Sequence, residues 1–290
     1  MAESPESPTA STDVVKLAAP LLFGPLFNRA LYGVLCVQIC AGPIPPNLVY
    51  FTHPRPDVYS YNFPKDGRSL KFLAYFVFLV ETVQTALTGA DIYYWFVVGF
   101  GNAERLENSH FAPVDVPILT TVVSFIVQGY FCYRIWVLNS RSSWICWIIA
   151  VAAVTQSAAA IWASTKPIIL GKYVVPTTAL YLWAISSALV DILIAVAMTL
   201  LLRRASGNFS SFVLIRVVRL TIETNALTAA LAITSLVLYV AFPNELYYVY
   251  TVEIFGKVYS NTLLVSLNNC IYLRDHRSPE HGDSAPPGLR

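Results

Sequence analysis

Long apolar runs alternate with short polar segments along most of the chain. Seven of these runs hold about 20 or more mostly apolar residues, the length that a helix needs to cross the hydrocarbon core of a bilayer. They extend over 20–41, 70–98, 114–138, 144–164, 177–202, 217–241 and 245–273. Most connections between them are short, so we expect neighbouring helices to pack antiparallel. The pattern predicts an all-α fold, a bundle of seven transmembrane helices.

The two ends of the chain and the first connection differ from this pattern. Residues 1–19 are rich in Ser and Pro and lack the basic segment and short apolar core of a secretory signal, so we predict a disordered N-terminal segment. Residues 274–290 are polar and Pro-rich and are predicted to form a disordered cytosolic tail. Within the membrane domain, 20–273, residues 41–58 contain several prolines without helical periodicity and are interpreted as an insertion.

Basic residues near the helix ends predict the orientation, because Lys and Arg are enriched on the cytosolic side of a membrane. The odd-numbered connections and the C-terminal tail hold most of them. The densest cluster lies between the fifth and sixth helices and contains Arg203, Arg204, Arg216 and Arg219. The opposite side holds Lys16, Arg105, Lys166 and Lys172. We therefore predict that the N-terminus lies outside and that the C-terminus lies in the cytosol.

Composition limits the class of the protein and its partners. With 56% hydrophobic and 12% charged residues and a mean hydropathy of +0.57, the chain is far more apolar than a soluble domain. The formal net charge of +2 is too small to suggest binding to nucleic acid. None of the five cysteines has metal-site spacing, so we expect buried free thiols, no metal and no cofactor. The expected partners are the lipid bilayer of a plasma membrane or endomembrane and a small apolar ligand.

Charged and amide side chains interrupt several of the apolar helices. Each costs a few kcal/mol if it is ionised and unpaired at the bilayer centre. In the last helix Glu253, Lys257 and Asn261 are four residues apart and therefore lie on one stripe, which other helices must face with polar groups. We predict a polar seam inside the bundle, with a binding or a purely structural role. Its candidate residues are Glu81, Gln84, Asp191, Glu223, Asn225, Glu253, Lys257 and Asn261.

Two classes of function fit such a seam. The first is a sensor or small-molecule binding protein, and we favour it over an enzyme. The alternative is a membrane-embedded enzyme of secondary metabolism, similar to an isoprenoid cyclase, in which Glu81 or Asp191 protonates the substrate in an apolar cavity. The chain has no DDxxD motif, which argues against metal-dependent prenyl transfer.

Retinal binding is a further alternative for the last helix. Glu253-x-x-x-Lys257 is similar to the Asp-x-x-x-Lys of microbial rhodopsins, in which the lysine forms a Schiff base. The third helix has no carboxylate after Asp115, whereas the proton relay of that fold uses acids of its third helix. The chain matches the large family of seven-helix receptors only in topology, because it lacks the DRY-like triplet that those receptors have after their third helix.

Four separated segments carry a resemblance to a known family. They are FIVQGYFCYRIWVLNSRSSW, ALVDILIAVAMTLLLRRASGNF, TIETNALTAA and GKVYSNTLLVSLNN. In these segments, which occur in the family's order, the chain resembles basidiomycete fungal integral membrane proteins that share a domain of unknown function. The resemblance implies seven helices and a fungal membrane location, and it implies no activity. The family usually has Asp-Thr-x-His in the second helix, where this chain reads Glu81-Thr82-Val83-Gln84, and it lacks a counterpart of 41–58.

Overall fold

Seven long helices make up most of the structure. The computed structural model describes residues 8–41, 68–138, 143–172, 175–205, 212–243 and 245–275. The helices are α1 (Pro8–Ala41), α2 (Arg68–Ile92), α3 (Thr120–Leu138), α4 (Ser143–Leu170), α5 (Thr177–Ala205), α6 (Phe212–Ala241) and α7 (Tyr248–Asp275). The described residues contain no β-strand, which confirms the predicted all-helical class.

Among the described residues, five helical stretches are long and apolar enough to cross a membrane. They are Val14–Cys40, Leu70–Val98, Ala112–Val137, Ser143–Leu170 and Thr177–Leu200, which correspond to the first five predicted spans. In α6 the apolar stretch Asn225–Ala241 is shorter, and α7 carries three polar residues of the predicted seam, Glu253, Lys257 and Asn261. The chain is therefore membrane-embedded by the length and composition of its helices. The count of seven spans and the orientation stay predictions.

Irregular helical segments connect α2 to α3. The π-helix Tyr93–Val98 continues α2, a 3₁₀-helix covers Ala103–Glu107, and the turn Ala112–Val114 followed by the π-helix Asp115–Leu119 leads into α3. Pro113 and Pro117 lie in this last part, where a missing backbone N–H favours a departure from α-helical hydrogen bonding. These segments place Asp115, whose side chain is fully buried, between α2 and α7.

Helix α7 is the central helix of the bundle. It packs against α1, α2, α3 and α6, and none of its side chains between Thr251 and Asn268 is exposed. Its packing on α1 is tight, because a Cβ atom on Gly24 would lie 3.1 Å from Cγ of Glu253. A helix that contacts other helices on all sides can carry polar residues that a lipid-facing helix cannot.

Helix α1 begins earlier than the sequence predicts. The helix starts at Pro8, whereas residues 1–19 are predicted to be disordered. The predicted start at Pro20 is the beginning of the apolar run, whereas the helix continues back to Pro8, with Pro20 and Pro25 both buried inside α1. Nζ of Lys16 also lies 3.2 Å from Oε1 of Glu245, which links the start of α1 to the chain before α7. Most of the predicted insertion, 41–58, and nearly all of the tail, 274–290, lie outside the described residues.

Candidate functional site

Lys257 of α7 lies at the centre of a buried polar network. Its side chain has no exposed surface, and Nζ donates to the carboxylate of Glu81 in α2. The same Nζ donates to the backbone oxygen of Glu81 at 3.0 Å and to Oε1 of Gln84 at 3.1 Å. Ser260, one turn further along α7, donates to the other carboxylate oxygen of Glu81. A buried ion pair needs such additional hydrogen bonds to offset the loss of hydration.

The network continues from Lys257 to α1 and α3. Nε2 of Gln84 donates to Oγ1 of Thr120 at the start of α3, at 3.2 Å. On the α1 side, Nζ of Lys257 lies 5.5 Å from the ring centroid of Tyr32, close enough for a cation–π interaction. The Tyr32 hydroxyl in turn shares a hydrogen bond of 2.8 Å with Thr82. One cation therefore connects α1, α2, α3 and α7.

A second buried network lies on the opposite side of α7. The hydroxyl of Tyr259 is 2.8 Å from both carboxylate oxygens of Asp191 in α5. Gln128 of α3 donates to Oε1 of Gln156 at 2.9 Å and to the Tyr259 hydroxyl at 3.4 Å. Residues two apart on a helix point in nearly opposite directions, so Tyr259 and Lys257 face different neighbours. The predicted seam is thus two networks, with α7 between them.

The structure separates the two predicted seam residues of α6. Asn225 is buried, and its Nδ2 has no hydrogen-bond partner in the described part of the chain. Glu223 does not join either network, because its side chain is 63% exposed and lies 4.0 Å from Arg219 one turn away. The reason is geometric: residues 223 and 225 are two positions apart and point in nearly opposite directions, and Asn225 is on the side of α6 that faces the bundle.

Asn261 and Asn28 attach α7 to α1. Nδ2 of Asn261 donates to the backbone oxygen of Leu31 at 3.1 Å and to that of Lys257 at 2.7 Å. Nδ2 of Asn28 donates to the backbone oxygen of Glu253 at 2.6 Å. The stripe that contains Glu253, Lys257 and Asn261 therefore faces α1 and α2.

Glu253 is buried without a hydrogen bond at one of its oxygens. Its side chain is 3% exposed, and Oε2 has no hydrogen-bond partner among the described residues. Lys257 forms its ion pair with Glu81 rather than with Glu253, although Glu253 is only one turn away. A carboxyl group in this position is costly unless a proton, a cation or a ligand satisfies it.

Two further buried acids, Asp91 and Asp115, are not among the predicted site residues. Oδ1 of Asp91 lies 2.6 Å from Nδ1 of His110 and accepts from the backbone N–H of Phe111 at 3.0 Å. Oδ2 of Asp115 accepts from Thr88 at 2.9 Å, while Oδ1 has no partner in the described residues.

A signal for Asp91 was present in the sequence. Glu81, Gln84, Thr88 and Asp91 are spaced by three, four and three residues, which places them on one face of α2. All four side chains are at most 1% exposed. Asp115 had no comparable signal, because it occupies a π-helical segment that the apolar pattern does not reveal.

An apolar cleft adjoins Glu253 where the starts of α3, α5 and α7 meet the end of α4. It has a volume of about 90 Å³. Val116, Ala163, Trp183, Tyr248 and Val252 form part of its wall, and Glu253 is its only charged lining residue in the described part of the chain. Thr120 also lines the cleft and joins it to the network, because its hydroxyl accepts the hydrogen bond from Gln84. Lys257 does not line it.

One family model matches part of the chain. The family is DUF6534, a family of unknown function, and the match covers residues 187–272. This stretch contains Asp191, Tyr259, Glu253 and Lys257, so it includes the α5 and α7 sides of the two networks, whereas Glu81 lies outside it. The comparison with curated proteins and the comparison with solved structures gave no match.

Proposed function

We propose that this protein crosses the membrane seven times and binds a small, mainly apolar molecule in the cleft beside Glu253. Its role would be that of a sensor or binding protein of a fungal membrane. The fungal origin and the seven spans rest on the resemblance and on the pattern of apolar runs. The binding role rests on one observation, an apolar cleft in which the only charged lining side chain among the described residues is a buried carboxyl with an unpaired oxygen.

The position of the cleft supports a sensing role. Four helices, α3, α4, α5 and α7, contribute to its wall, so a bound molecule would contact all of them. Thr120 lines the cleft and is the hydrogen-bond acceptor of Gln84, which itself accepts from Lys257. A ligand that competes for Thr120 would therefore alter the network that joins α2 to α7. A ligand shifts a conformational equilibrium when it binds one of the two conformations more tightly than the other.

The enzyme and retinal alternatives have less support. Asp191, a proposed acid for cyclisation, does not line the cleft, and both of its oxygens are within hydrogen-bond distance of Tyr259. Glu81 also lies away from the cleft and is engaged by Lys257 and Ser260. For retinal, Nζ of Lys257 is already bonded to three acceptors and does not face the cleft. A binding role for the cleft does not require Asp191, Glu81 or Lys257 to be released from its hydrogen-bond partners.

The proposal predicts that a small alcohol stabilises the protein and occupies the cleft saturably. Purified protein in detergent is titrated with 1-hexanol while its thermal unfolding is followed. A ligand that binds only the folded state at about 100 times its Kd stabilises it by about 2.7 kcal/mol, and above Kd the melting temperature should keep rising with the logarithm of the hexanol concentration. A photoreactive hexanol, competed by 1-hexanol, should label cleft residues of α4 and α7.

Two phenylalanine variants of α4 separate cleft binding from general effects of alcohol. Ala163→Phe places a ring in the cleft and should abolish both the rise in melting temperature and the competed labelling. Ala158→Phe adds the same ring at an exposed position of the same helix and should behave like the unmodified protein. If all three proteins respond alike, the cleft is not a binding site and the proposal is wrong.

A further inference from the structure

Buried acids outnumber buried bases where α2, α7 and the π-helix before α3 meet. Four carboxyl side chains that are at most 3% exposed lie in these three packed segments, namely Glu81, Asp91, Asp115 and Glu253. Lys257 forms an ion pair with Glu81, and His110 lies against Asp91. In the described part of the chain, neither Asp115 nor Glu253 forms a salt bridge. The region therefore has carboxyl groups without a cationic partner.

The two remaining acids also have unused oxygens. Oδ1 of Asp115 and Oε2 of Glu253 have no hydrogen-bond partner among the described residues. An ammonium group beside Glu253 would supply the missing positive charge and a donor for the vacant Oε2. The electrostatics therefore favour a cation beside Glu253.

The surroundings favour an organic cation over a metal ion. No group of three or more His, Cys, Asp or Glu side chains that could hold a metal ion occurs among the described residues. Apart from Glu253, the wall of the cleft is mostly apolar, and the rings of Trp183 and Tyr248 form part of it. Aromatic rings attract ammonium groups, and apolar walls accept an alkyl chain, whereas hard metal ions require several oxygen ligands.

We infer that the molecule bound in the cleft is a primary amine, with its ammonium group at Glu253 near Asp115 and its hydrocarbon part along the apolar wall. This inference rests on the proposed function and narrows its ligand to one chemical class. The ammonium group donates to Oε2 of Glu253, which lines the cleft, and the alkyl chain contacts Val116, Val252 and Ala163. A neutral alcohol fits the same walls but supplies no charge, and a carboxylic acid supplies the wrong charge.

Three six-carbon molecules that differ only in the head group test this assignment. Hexylammonium, 1-hexanol and hexanoate are each titrated into the purified protein at neutral pH and constant ionic strength, and Kd is measured by thermal shift and by competition with the photoreactive hexanol. Charge-assisted hydrogen bonds are stronger than neutral ones, so hexylammonium should bind about ten- to a hundredfold more tightly than 1-hexanol. Hexanoate should bind most weakly.

Substitutions of the acids complete the test. Glu253→Gln should remove the preference for the amine while 1-hexanol still binds, and Asp115→Asn should weaken the preference. Glu107→Gln changes an exposed carboxyl that pairs with Lys172 and should leave the order of the three molecules unchanged. Sodium or ammonium chloride at the concentration of the amine should not displace the photoreactive hexanol.

The outcomes distinguish this inference from the proposed function. Equal binding of hexylammonium and 1-hexanol, with loss of both in Ala163→Phe, would overturn the amine assignment and leave the cleft as a binding site. A preference for the amine that persists in Glu253→Gln and in Asp115→Asn would also overturn it. Displacement by sodium or ammonium alone would point to an inorganic cation instead. Absence of any saturable binding would remove the proposed function itself.

Discussion

The buried ion pair of Lys257 and Glu81 connects residues that are 176 positions apart in the chain. The spacing of Glu253, Lys257 and Asn261 was enough to place them on one stripe of a helix. It could not identify the partner of Lys257, because Glu253 lies one turn away on the same helix and Glu81 is on another. Which acid pairs with Lys257 depends on the packing of α2 against α7, and a single sequence does not specify that packing.

Removal of the buried cation should strongly destabilise the protein. Lys257→Met leaves Glu81 without its ion pair, and removal of one partner of a buried pair typically costs about 3–5 kcal/mol. Lys172→Met is the matched control, because its pair with Glu107 is half exposed and such surface pairs contribute about 1 kcal/mol or less. Thermal unfolding in detergent should show a large drop in melting temperature for the first variant and little change for the second.

A double variant checks the cause of this effect. Glu81→Gln combined with Lys257→Met removes the unpaired charge, so it should unfold at a higher temperature than Lys257→Met alone. The interpretation is wrong if the double variant is no more stable than the single one, or if Lys257→Met and Lys172→Met unfold at the same temperature.

At the scale of the helices, the sequence predicted much of the secondary structure and missed its irregular parts. The first five predicted spans correspond to helices that are apolar enough to cross a membrane. The π-helices Tyr93–Val98 and Asp115–Leu119 were not predictable, because a shift from four- to five-residue hydrogen bonding leaves no mark in the apolar pattern. The early start of α1 was missed because the prediction followed the apolar run from Pro20 and read the Ser- and Pro-rich segment before it as disordered.

Helix α7 shows why apolar content alone does not describe a central helix. It is not among the five stretches that are long and apolar enough to cross a membrane, yet neighbouring helices cover it on several sides. Lys257, Tyr259 and Asn261 of this helix form hydrogen bonds with groups of α1, α2, α3 and α5. The low apolar content of α7 is therefore compatible with a position at the centre of the bundle.

The contact between α1 and α7 should be sensitive to side-chain size at Gly24. A Cβ atom there would lie 3.1 Å from Cγ of Glu253 and 3.6 Å from Cα of Tyr250, so Gly24→Val should force the helices apart. Gly33→Val is the control in the same helix, because a Cβ atom at Gly33 has no neighbour within 4 Å. We expect Gly24→Val to lower the melting temperature by an amount corresponding to about 1–3 kcal/mol, as overpacking does.

Similar stability of the Gly24→Val and Gly33→Val proteins would contradict the close packing of α1 on α7. The same pair of variants has a second use, because Glu253 lies against Gly24 and also lines the cleft. If a side chain at position 24 displaces Glu253, binding of hexylammonium should weaken more than binding of 1-hexanol. Gly33→Val should change neither.

At the scale of the whole molecule, the cleft and the unpaired acids lie toward one end of the bundle. The start of α3, the end of α4 and the starts of α5 and α7 form this end. With the predicted orientation, it is the side that faces away from the cytosol. The Arg203, Arg204, Arg216 and Arg219 cluster belongs to the opposite end, between α5 and α6. The direction from which a ligand reaches Glu253 therefore depends on the orientation of the whole protein.

Glycosylation in a eukaryotic host tests this orientation, because the modification takes place only on the lumenal side. The only acceptor pattern in the chain is Asn208-Phe209-Ser210, which lies outside the described residues and beside the arginine cluster. If those arginines hold the connection in the cytosol, Asn208 should remain unmodified. A short connection can also escape modification because it lies too close to the membrane for the enzyme, so longer acceptors are needed.

The same long Gly/Ser-rich acceptor segment is therefore inserted at two places, one for each side of the membrane. Gly101 is an exposed turn residue, and a Cβ atom added to it would have no neighbour within 4 Å, so the connection from α2 to α3 should accept an insertion there. The second insertion follows Gly207, within the arginine-rich connection. We expect an endoglycosidase-sensitive mass shift for the insertion after Gly101 and none for the insertion after Gly207. The reverse result would invert the topology, and the cleft would then open toward the cytosol and sample an intracellular amine.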